Sequence, residues 1–305
     1  MPKKLILIAG PTASGKSSLA ISIAKKINGE IINADSMQVY KEFSALSSRP
    51  NKIELSKAKH HLYGFISVKK HFSVGKWIKL LKKTINNCIQ NKKIPILVGG
   101  TGLYFNAVTK GISKIPEIDN KTRLSVRKLH NKIGQSKFYK KLILLDPLAK
   151  KNILSSDPQR SMRAYEVKIT TKKSLYQWAS DTKSEFLDFE IKKFYLDISR
   201  EHLLLNISKR TEKMFKENCI NEVKKFLKMK IDSSLSANKL IGVKEITDYL
   251  KNSCTLEQTK DLINIKTRQY AKRQNTWSRG HMKNWTKVYS KKQSILSKKI
   301  LKAIS

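Results

Sequence analysis

The segment from Gly10 to Ser17 combines residue types and a spacing that suit the binding of a phosphate chain. Its sequence, GPTASGKS, fits the pattern GxxxxGK[ST] at every defined position. It follows the apolar run Leu5–Ala9, which predicts a buried strand, and precedes a helical stretch that ends at Ile27. Glycines let backbone N–H groups converge on phosphate oxygens at a helix N-terminus. We therefore predict binding of a diphosphate or triphosphate by Gly10, Pro11, Thr12, Ala13, Ser14, Gly15, Lys16 and Ser17.

Two residues of this loop carry distinct chemistry. Lys16 supplies a mobile cation, and the Ser17 hydroxyl can bind Mg²⁺. Similar loops that hydrolyse nucleotides usually have a nearby strand-end acid that holds Mg²⁺. Here the buried run Ile94–Val98 ends in Gly-Gly-Thr-Gly instead. The sequence therefore predicts a site that holds phosphates without being built to hydrolyse them.

Polar residues follow the next two predicted strands. Asp35 follows the strand Glu30–Ala34, where a carboxylate can accept a proton from a nucleophile or cap a helix beginning at Ser36. Thr101 lies in the glycine turn and can donate a hydrogen bond to a phosphate oxygen or serve only as a turn residue. The residues alone leave both pairs of alternatives open.

Short apolar strands alternate with helices in the first part of the chain, which predicts an α/β fold with a parallel, P-loop NTPase-like sheet. The third strand is predicted over Lys93–Val98 and a helix over Trp77–Asn91. Residues 113–192 lack a buried strand run, so we predict a helical insertion domain there. The core then comprises residues 1–112 and 193–305.

The second part of the predicted core begins with one strand and is otherwise helical. The run KFYLDI predicts a strand over Lys193–Ile198. A long helix is predicted over Leu256–Arg279, and the C-terminal part around it reads as mainly helical.

The net charge of the chain is unusually high. It is +40, because the chain has 63 Lys and Arg residues but only 23 Asp and Glu residues. Such an excess favours a polyanionic partner, because neutralising phosphates releases counterions. Only 10 of the basic residues are Arg, so the Lys excess alone is equally compatible with a compositional habit of the source organism.

The three cysteines are far apart and form no CxxC pair, which predicts neither a disulfide framework nor a zinc site and suits a reducing cytosol. The N-terminal apolar run is too short for a signal peptide, and no stretch is long enough to span a membrane. We therefore expect a cytoplasmic protein.

Segments throughout the chain resemble those of bacterial tRNA dimethylallyltransferases, in that family's order. They are GPTASGKS at 10–17, NADSMQVY at 33–40, HHLYGF at 60–65, FSVGKW at 72–77, GGTGLYF at 99–105, DPQRSMRAYEV at 157–167, IGVKEI at 241–246 and TRQYAKRQNTWSR at 267–279. The first motif is shared with many families, whereas DSMQVY, GGTGLYF and KRQNTW together are much more specific.

The resemblance implies transfer of a dimethylallyl group from dimethylallyl diphosphate to N6 of adenosine 37, in tRNAs that read codons beginning with U. It implies that Asp35 is the general base and that Mg²⁺ accompanies the diphosphate at the phosphate loop. Thr101 is implied to lie near the reacting groups and help bind the diphosphate, and Arg210 to reach the diphosphate. The family pattern also suggests a monomer.

The resemblance further implies contacts with the anticodon stem-loop of tRNA. These fall on Asp35, Ser36, Met37, Gln38, Thr101, Arg123, Gln159, Arg160, Ser161, Met162 and Arg163. A basic stripe on the C-terminal helix is either a further RNA contact or a solvated helix face. It consists of Arg268, Lys272, Arg273 and Arg279, with Trp277 among them.

The chain departs from the family pattern after Tyr40. The family commonly reads RGMDIGTAKP there, whereas this chain reads KEFSALSSRP. We expect Ser47 or Ser48 to replace the hydroxyl and Arg49 the cation. For His60 and His61 we expect a structural or channel-lining role, because no other ligand has metal spacing in the sequence.

Two other functions use the same features. A nucleoside or small-molecule kinase would bind ATP at the phosphate loop, but it would not need a basic helical insertion. An RNA-binding protein without catalysis would explain the charge, but it would not need Lys16, Asp35 and Thr101 around one cleft.

Overall fold

A single parallel sheet forms from the apolar runs in the computed structural model, which describes residues 3–180, 182–290 and 293–304. The strands are β1 Lys3–Ala9, β2 Gly29–Asn33, β3 His60–His61, β4 Ile94–Gly99, β5 Phe189–Leu196 and β6 Thr286–Val288. They lie in the order β3-β2-β4-β1-β5-β6, and every neighbouring pair is parallel. The predicted α/β class with a parallel sheet is confirmed.

Helices connect and cover the strands. They are α1 Lys16–Ile27, α2 Lys52–Lys57, α3 Val74–Gln90, α4 Gly102–Thr109, α5 Asn120–Leu145, α6 Leu148–Asn152, α7 Pro158–Thr171, α8 Leu175–Ser180, α9 Arg200–Lys216, α10 Cys219–Lys228, α11 Val243–Leu250, α12 Leu256–His281 and α13 Gln293–Ile304. None of the described helices is both long and apolar enough to cross a membrane.

The chain divides into two compact units. One comprises Met1–Val108 and Phe186–Ser305, and the other comprises Thr109–Glu185. The second unit therefore begins and ends earlier than the predicted insertion of residues 113–192. The returning strand also begins earlier than expected, because the first half of β5 is only half-buried and carries charged residues that interrupt its apolar pattern.

Strands β1, β2 and β4 are largely buried because helices cover the sheet, as parallel sheets require. One apolar cluster joins alternate residues such as Ile6 and Ile8 of β1 with Leu19 and Ile23 of α1 and Ile300 of α13. On α3, Trp77 stacks on Tyr104 of α4 at a ring distance of 4.1 Å. The Trp77 indole N–H also donates to the backbone oxygen of Asn33, at 3.1 Å. This contact ties α3 to the end of β2.

The unit Thr109–Glu185 is helical and has a small core of its own. Asp119 and Asp157 cap α5 and α7 by accepting backbone N–H hydrogen bonds in the first turn of each helix. Gly134 has a φ of 74° inside α5 and bends that helix. Leu142 of α5 and Ala164 of α7 are buried in one cluster.

A carboxylate from α10 organises the turns between Tyr40 and Pro50. The backbone N–H groups of Ser44, Ala45 and Leu46 all donate to Glu222, each at 2.9 Å. These turns reach the cavity described below, so Glu222 positions part of its wall.

Replacing Glu222 with Ala leaves three backbone donors without their partner. We expect the free energy of unfolding to fall by about 2 kcal/mol, the order of magnitude for losing hydrogen bonds to a charged group. Glu217→Ala is the control, because Glu217 makes only an exposed ion pair with Lys213, worth about 0–1 kcal/mol. Urea denaturation of both variants measures the difference, and equal losses would contradict the assignment.

Candidate active site

The loop Gly10–Ser17 follows β1 and leads into α1. Ala13 and Gly15 adopt positive φ angles of 63° and 83°, a local alternation that turns successive N–H groups toward one point. The Ser14 hydroxyl is buried and has no hydrogen-bond partner among the described residues. A buried hydroxyl without a partner, next to backbone N–H groups that point toward one place, is a suitable binding site for a phosphate.

The last two residues of the motif, Lys16 and Ser17, differ in exposure. Lys16 Nζ donates to the backbone oxygen of Pro11 at 2.8 Å, so its ammonium folds back over the loop. Ser17 is exposed in the first turn of α1. A hydroxyl oxygen at that position suits Mg²⁺, a hard cation that takes few protein ligands and shares phosphate oxygens. The residues present therefore fit a Mg²⁺ ion held with a diphosphate.

Three side chains from the C-terminal helices hold the phosphate loop in place. Asn206 Nδ2 donates to the backbone oxygen of Ala13 at 3.0 Å, and Arg210 Nη1 donates to Thr12 Oγ1 at 3.1 Å. Gln274 Oε1 accepts the backbone N–H of Thr12 at 2.8 Å. The sequence pointed to Arg210 but not to Asn206 or Gln274, which lie about 200 and 260 residues from the loop.

Asp35 lies at the carboxyl end of β2, and its backbone is fixed by Asn33. The Asn33 carboxamide accepts the Asp35 backbone N–H at 2.8 Å and donates to the Asp35 backbone oxygen at 2.9 Å. Asp35 Oδ1 accepts the backbone N–H of Met37 at 2.9 Å, which closes a turn. The helix-cap alternative is wrong, because no helix begins at Ser36. The second carboxylate oxygen has no hydrogen-bond partner among the described residues.

Thr101 lies beside this turn because β2 and β4 are neighbours. Gly99, at the end of β4, passes so close to Ala34 that a Cβ atom would lie 2.1 Å from the Ala34 oxygen. Thr101 Oγ1 accepts the Ser36 N–H at 2.9 Å and donates to the Ser36 hydroxyl at 3.3 Å. The Thr101 hydroxyl thus positions Ser36 in this structure, and its contact with a diphosphate stays a prediction.

A cavity of about 690 Å³ opens where these elements meet. Cationic side chains outnumber acidic ones in its wall. They are Lys16, Arg49, Lys209, Arg210, Lys213, Lys239 and Arg273. Asp35, Glu54 and Glu217 are the acids in the same wall. The excess of positive charge suits an anionic ligand several phosphates or nucleotides in size.

Burial and neighbouring charges change the acidity of the groups in this cavity. Burial lowers the pKa of Lys16 to about 8; Asp35 opposes this shift, and Arg210 adds to it. Burial also lowers the pKa of Arg210, again opposed by Asp35. Burial and the charge of Asp35 raise the pKa of Tyr270, which stays a neutral phenol at ordinary pH. The site therefore holds two desolvated cations around one carboxylate.

The segment that departs from the family pattern lies in the cavity wall. The Ser47 hydroxyl is buried and donates to the Phe43 oxygen at 2.7 Å, so it does not replace a hydroxyl in the cavity. Arg49 lies in the wall, and its Nε is buried without a partner among the described residues. Gln38 donates to the backbone oxygens of Ser47 and Ser48. Arg49 is therefore the residue of this segment placed to meet an anion.

Helix α12 separates its basic residues from its packing residues. The four basic residues of the predicted stripe are exposed. They are Arg268, Lys272, Arg273 and Arg279. Trp277 lies against Gly102, where a Cβ atom would meet the indole at 2.3 Å, and it stacks on His281 at 4.3 Å. Trp277 is thus a packing residue of the site.

The predicted RNA contacts of the helical unit lie near the start of α7 and on α5. Gln159 and Arg160 are exposed, and Arg160 Nε lies 3.4 Å from Asp157 Oδ2. Met162 is half-buried. Ser161 is fully buried, and its hydroxyl donates to the backbone oxygen of Asp157 at 2.7 Å. The Ser161 side chain is therefore not accessible in this structure, and the predicted RNA contact at this position stays a prediction.

Arg123 of α5 and Arg163 of α7 are neighbours within the helical unit. Burial lowers the pKa of Arg163; Glu166 opposes this shift, and Arg123 adds to it. Arg163 Nη1 lies 3.6 Å from Glu166 Oε2. Arg123 Nε is buried without a partner among the described residues. This pair could accept an anionic group.

The two histidines of β3 lie away from the phosphate loop. His61 Nε2 contacts Glu30 Oε2 at 2.6 Å, and Cys88 Sγ donates to the same oxygen at 3.4 Å. Glu30, His61 and Cys88 lie close enough together to hold a metal ion, although their spacing in the sequence does not indicate one. Sequence spacing missed the group because β2, β3 and α3 each contribute one member. The short direct contacts describe a hydrogen-bonded cluster.

Comparison with known proteins shows which protein family this chain resembles. The family model described as IPP transferase matches residues 38–281. A tRNA dimethylallyltransferase from Pelagibacter ubique is 55% identical over 285 residues, covering 93% of this chain and 91% of the relative. One from Rickettsia bellii is 42% identical over 299 residues, covering 97% and 95%.

Two solved structures are also similar. The full-length tRNA isopentenylpyrophosphate transferase from Bacillus halodurans has a TM-score of 0.68 at 31% identity, covering 98% of this chain and 96% of that one. A eukaryotic dimethylallyltransferase acting on tRNA has a TM-score of 0.76 at 26% identity, covering 90% and 70%. This chain therefore belongs to the IPP transferase family.

Proposed function

We propose that this protein transfers a dimethylallyl group from dimethylallyl diphosphate to N6 of adenosine 37, in tRNAs that read codons beginning with U. The observation that carries the proposal is one cavity in which a phosphate loop, two desolvated cations and the Asp35 carboxylate meet. Family membership and the relatives that act on tRNA support it.

The leaving group is the first requirement of this reaction. The bond between the allylic carbon and the diphosphate oxygen breaks as the bond to N6 forms, so negative charge grows on the diphosphate. Lys16, Arg210 and the amides of the phosphate loop lie where they neutralise that charge. Mg²⁺, held by Ser17 and the diphosphate oxygens, would act as a Lewis acid on the same group.

The nucleophile is the second requirement. An exocyclic adenine amine is weakly nucleophilic, and it must lose one proton as the new N–C bond forms. Asp35 has one carboxylate oxygen committed to the Met37 amide and the other left to accept that proton. Since the target base must enter a cavity, an unpaired anticodon loop is a suitable substrate.

The helical unit supplies the proposed contacts with the anticodon stem-loop. Its exposed Gln159 and Arg160 and the paired Arg123 and Arg163 suit phosphate and base contacts. Ser36, Met37 and Gln38 are proposed to contact the nucleotide near Asp35. We further propose that the protein acts as a monomer in the cytoplasm.

The proposal is tested by supplying the protein with labelled dimethylallyl diphosphate or labelled ATP, with and without an unmodified tRNA carrying A-A-A around position 37. We expect label from the prenyl donor in the tRNA. The same tRNA with guanosine at position 37 is the control and should take up none. Phosphate transfer from ATP without tRNA would overturn the proposal in favour of a kinase.

The variant Asp35→Asn isolates the charge of the base, because its amide oxygen can still accept the Met37 N–H. We expect the single-turnover rate of prenyl transfer to fall about 100-fold or more. The affinity for tRNA should change far less than the rate. Asp188→Asn is a matched control, since Asp188 is exposed and pairs with Lys3. A normal rate with weaker tRNA binding would show that Asp35 only contacts the RNA.

Binding of inorganic diphosphate should depend on pH through Lys16, whose pKa is lowered to about 8. The ligand requires the charged ammonium, so affinity should weaken as pH rises through 8. Because a bound anion raises this pKa again, binding near that pH should take up a proton. Calorimetry in buffers of different ionisation enthalpy measures this uptake.

Lys16→Arg keeps a charged side chain throughout this range and is the comparison. Its binding should show a flatter pH dependence, while the titration of diphosphate itself contributes equally to both proteins. Equal pH dependence in the two proteins would remove Lys16 from the diphosphate clamp.

A further inference from the structure

We propose that Gln274 is a positioning residue that fixes the phosphate loop relative to the Thr101 turn. The inference rests on the proposed function, because it concerns the distance between the leaving group and the base in that reaction. Gln274 lies on α12, more than 170 residues from either loop in sequence.

The carboxamide of Gln274 joins the two loops directly. Its Oε1 accepts the backbone N–H of Thr12 at 2.8 Å, and its Nε2 donates to the backbone oxygen of Gly100 at 2.9 Å. One partner is a donor and the other an acceptor, so the two contacts need an amide and fix its orientation. The half-buried side chain therefore bridges the loops after β1 and β4.

The fit around the bridge is close. A Cβ atom at Gly100 would lie 2.3 Å from Gln274 Nε2 and 3.3 Å from the Gly10 oxygen. Trp277, three residues later on the same helix, covers Gly102 in the same turn. The two glycines thus let α12 approach the turn, and Gln274 fills the space between the turn and the phosphate loop.

The bridge continues to the base. Thr101, next to Gly100, accepts the Ser36 N–H at 2.9 Å, and Ser36 follows Asp35. Gln274 and Thr101 therefore fix the distance between a diphosphate bound at the phosphate loop and the base Asp35. In a transfer reaction, a change of about 1 Å in the distance between the reacting groups can lower the rate on the order of 100-fold. Gln274 touches no reacting atom in this arrangement and acts through the two loops.

Gln274→Met keeps the size of the side chain and removes its hydrogen bonds to both loops, together with its hydrogen bond to Tyr270. We expect the single-turnover rate of prenyl transfer at saturating substrate to fall about 10- to 100-fold. The apparent affinity for dimethylallyl diphosphate should change much less. Gln269→Met is the matched control, because Gln269 lies exposed on the same helix. The inference is overturned if both variants keep the wild-type rate, or if only the substrate affinity falls.

Hydrogen exchange tests the contact without any activity. The Thr12 amide should exchange faster in Gln274→Met than in the wild type or in Gln269→Met. If the wild type transfers no prenyl group, the proposed function fails, and this measurement still decides whether Gln274 holds the loop. Unchanged exchange at Thr12 would overturn the inference even where the proposed function holds.

A second variant, Gln274→Glu, gives a signature that a merely structural role would not produce. One carboxylate oxygen can still accept the Thr12 N–H, but the other faces the Gly100 oxygen and is repelled unless protonated. The rate of this variant relative to the wild type should therefore rise as pH falls. Tyr270, which hydrogen-bonds the side chain at position 274, is common to both proteins, as are the charged groups Lys16, Asp35, Arg210 and Arg273 of the same wall. A constant ratio over pH would therefore contradict the bridge.

Discussion

Parallel pairing of β2, β4 and β1 is the constraint on which the site depends. The registers place Ala9 beside Gly99 and Asn33 beside Val98, so three strands end at one edge of the sheet. The phosphate loop, the Asp35 turn and the Thr101 turn each follow one of these ends. Because parallel strands direct their carboxyl ends to one side, residues far apart in sequence meet without a long connecting loop.

The second constraint is the positive charge of the cavity, which favours the binding of an anion. Lys16 and Arg210 are desolvated beside the Asp35 carboxylate, and burial lowers the pKa of both side chains while Asp35 opposes each shift. Ser14 and Arg49 add polar atoms without partners among the described residues. A bound diphosphate would supply the missing charge and the missing acceptors together.

The sequence predicted the parts of the site that are contiguous in the chain. The phosphate loop, the strand ends and the glycine turn follow from local patterns that backbone sterics and hydrogen bonding impose. Asn206 and Gln274 could not be found in this way, because each acts on a loop about 200 or more residues away. The start of β5 was missed for a different reason, since charged residues on a half-buried strand hide its period.

Helix α12 has two faces that follow from its sequence, an exposed basic face and a buried face of small residues. Its basic residues predicted an outer surface, and they are exposed. Its small buried residues, Thr267, Ala271 and Ser278, recur at intervals of four and seven and form the inner face. Ala271 packs on Leu203 and Ile207 of α9. Because these side chains are small, the helix lies close enough for Gln274 to reach two loops.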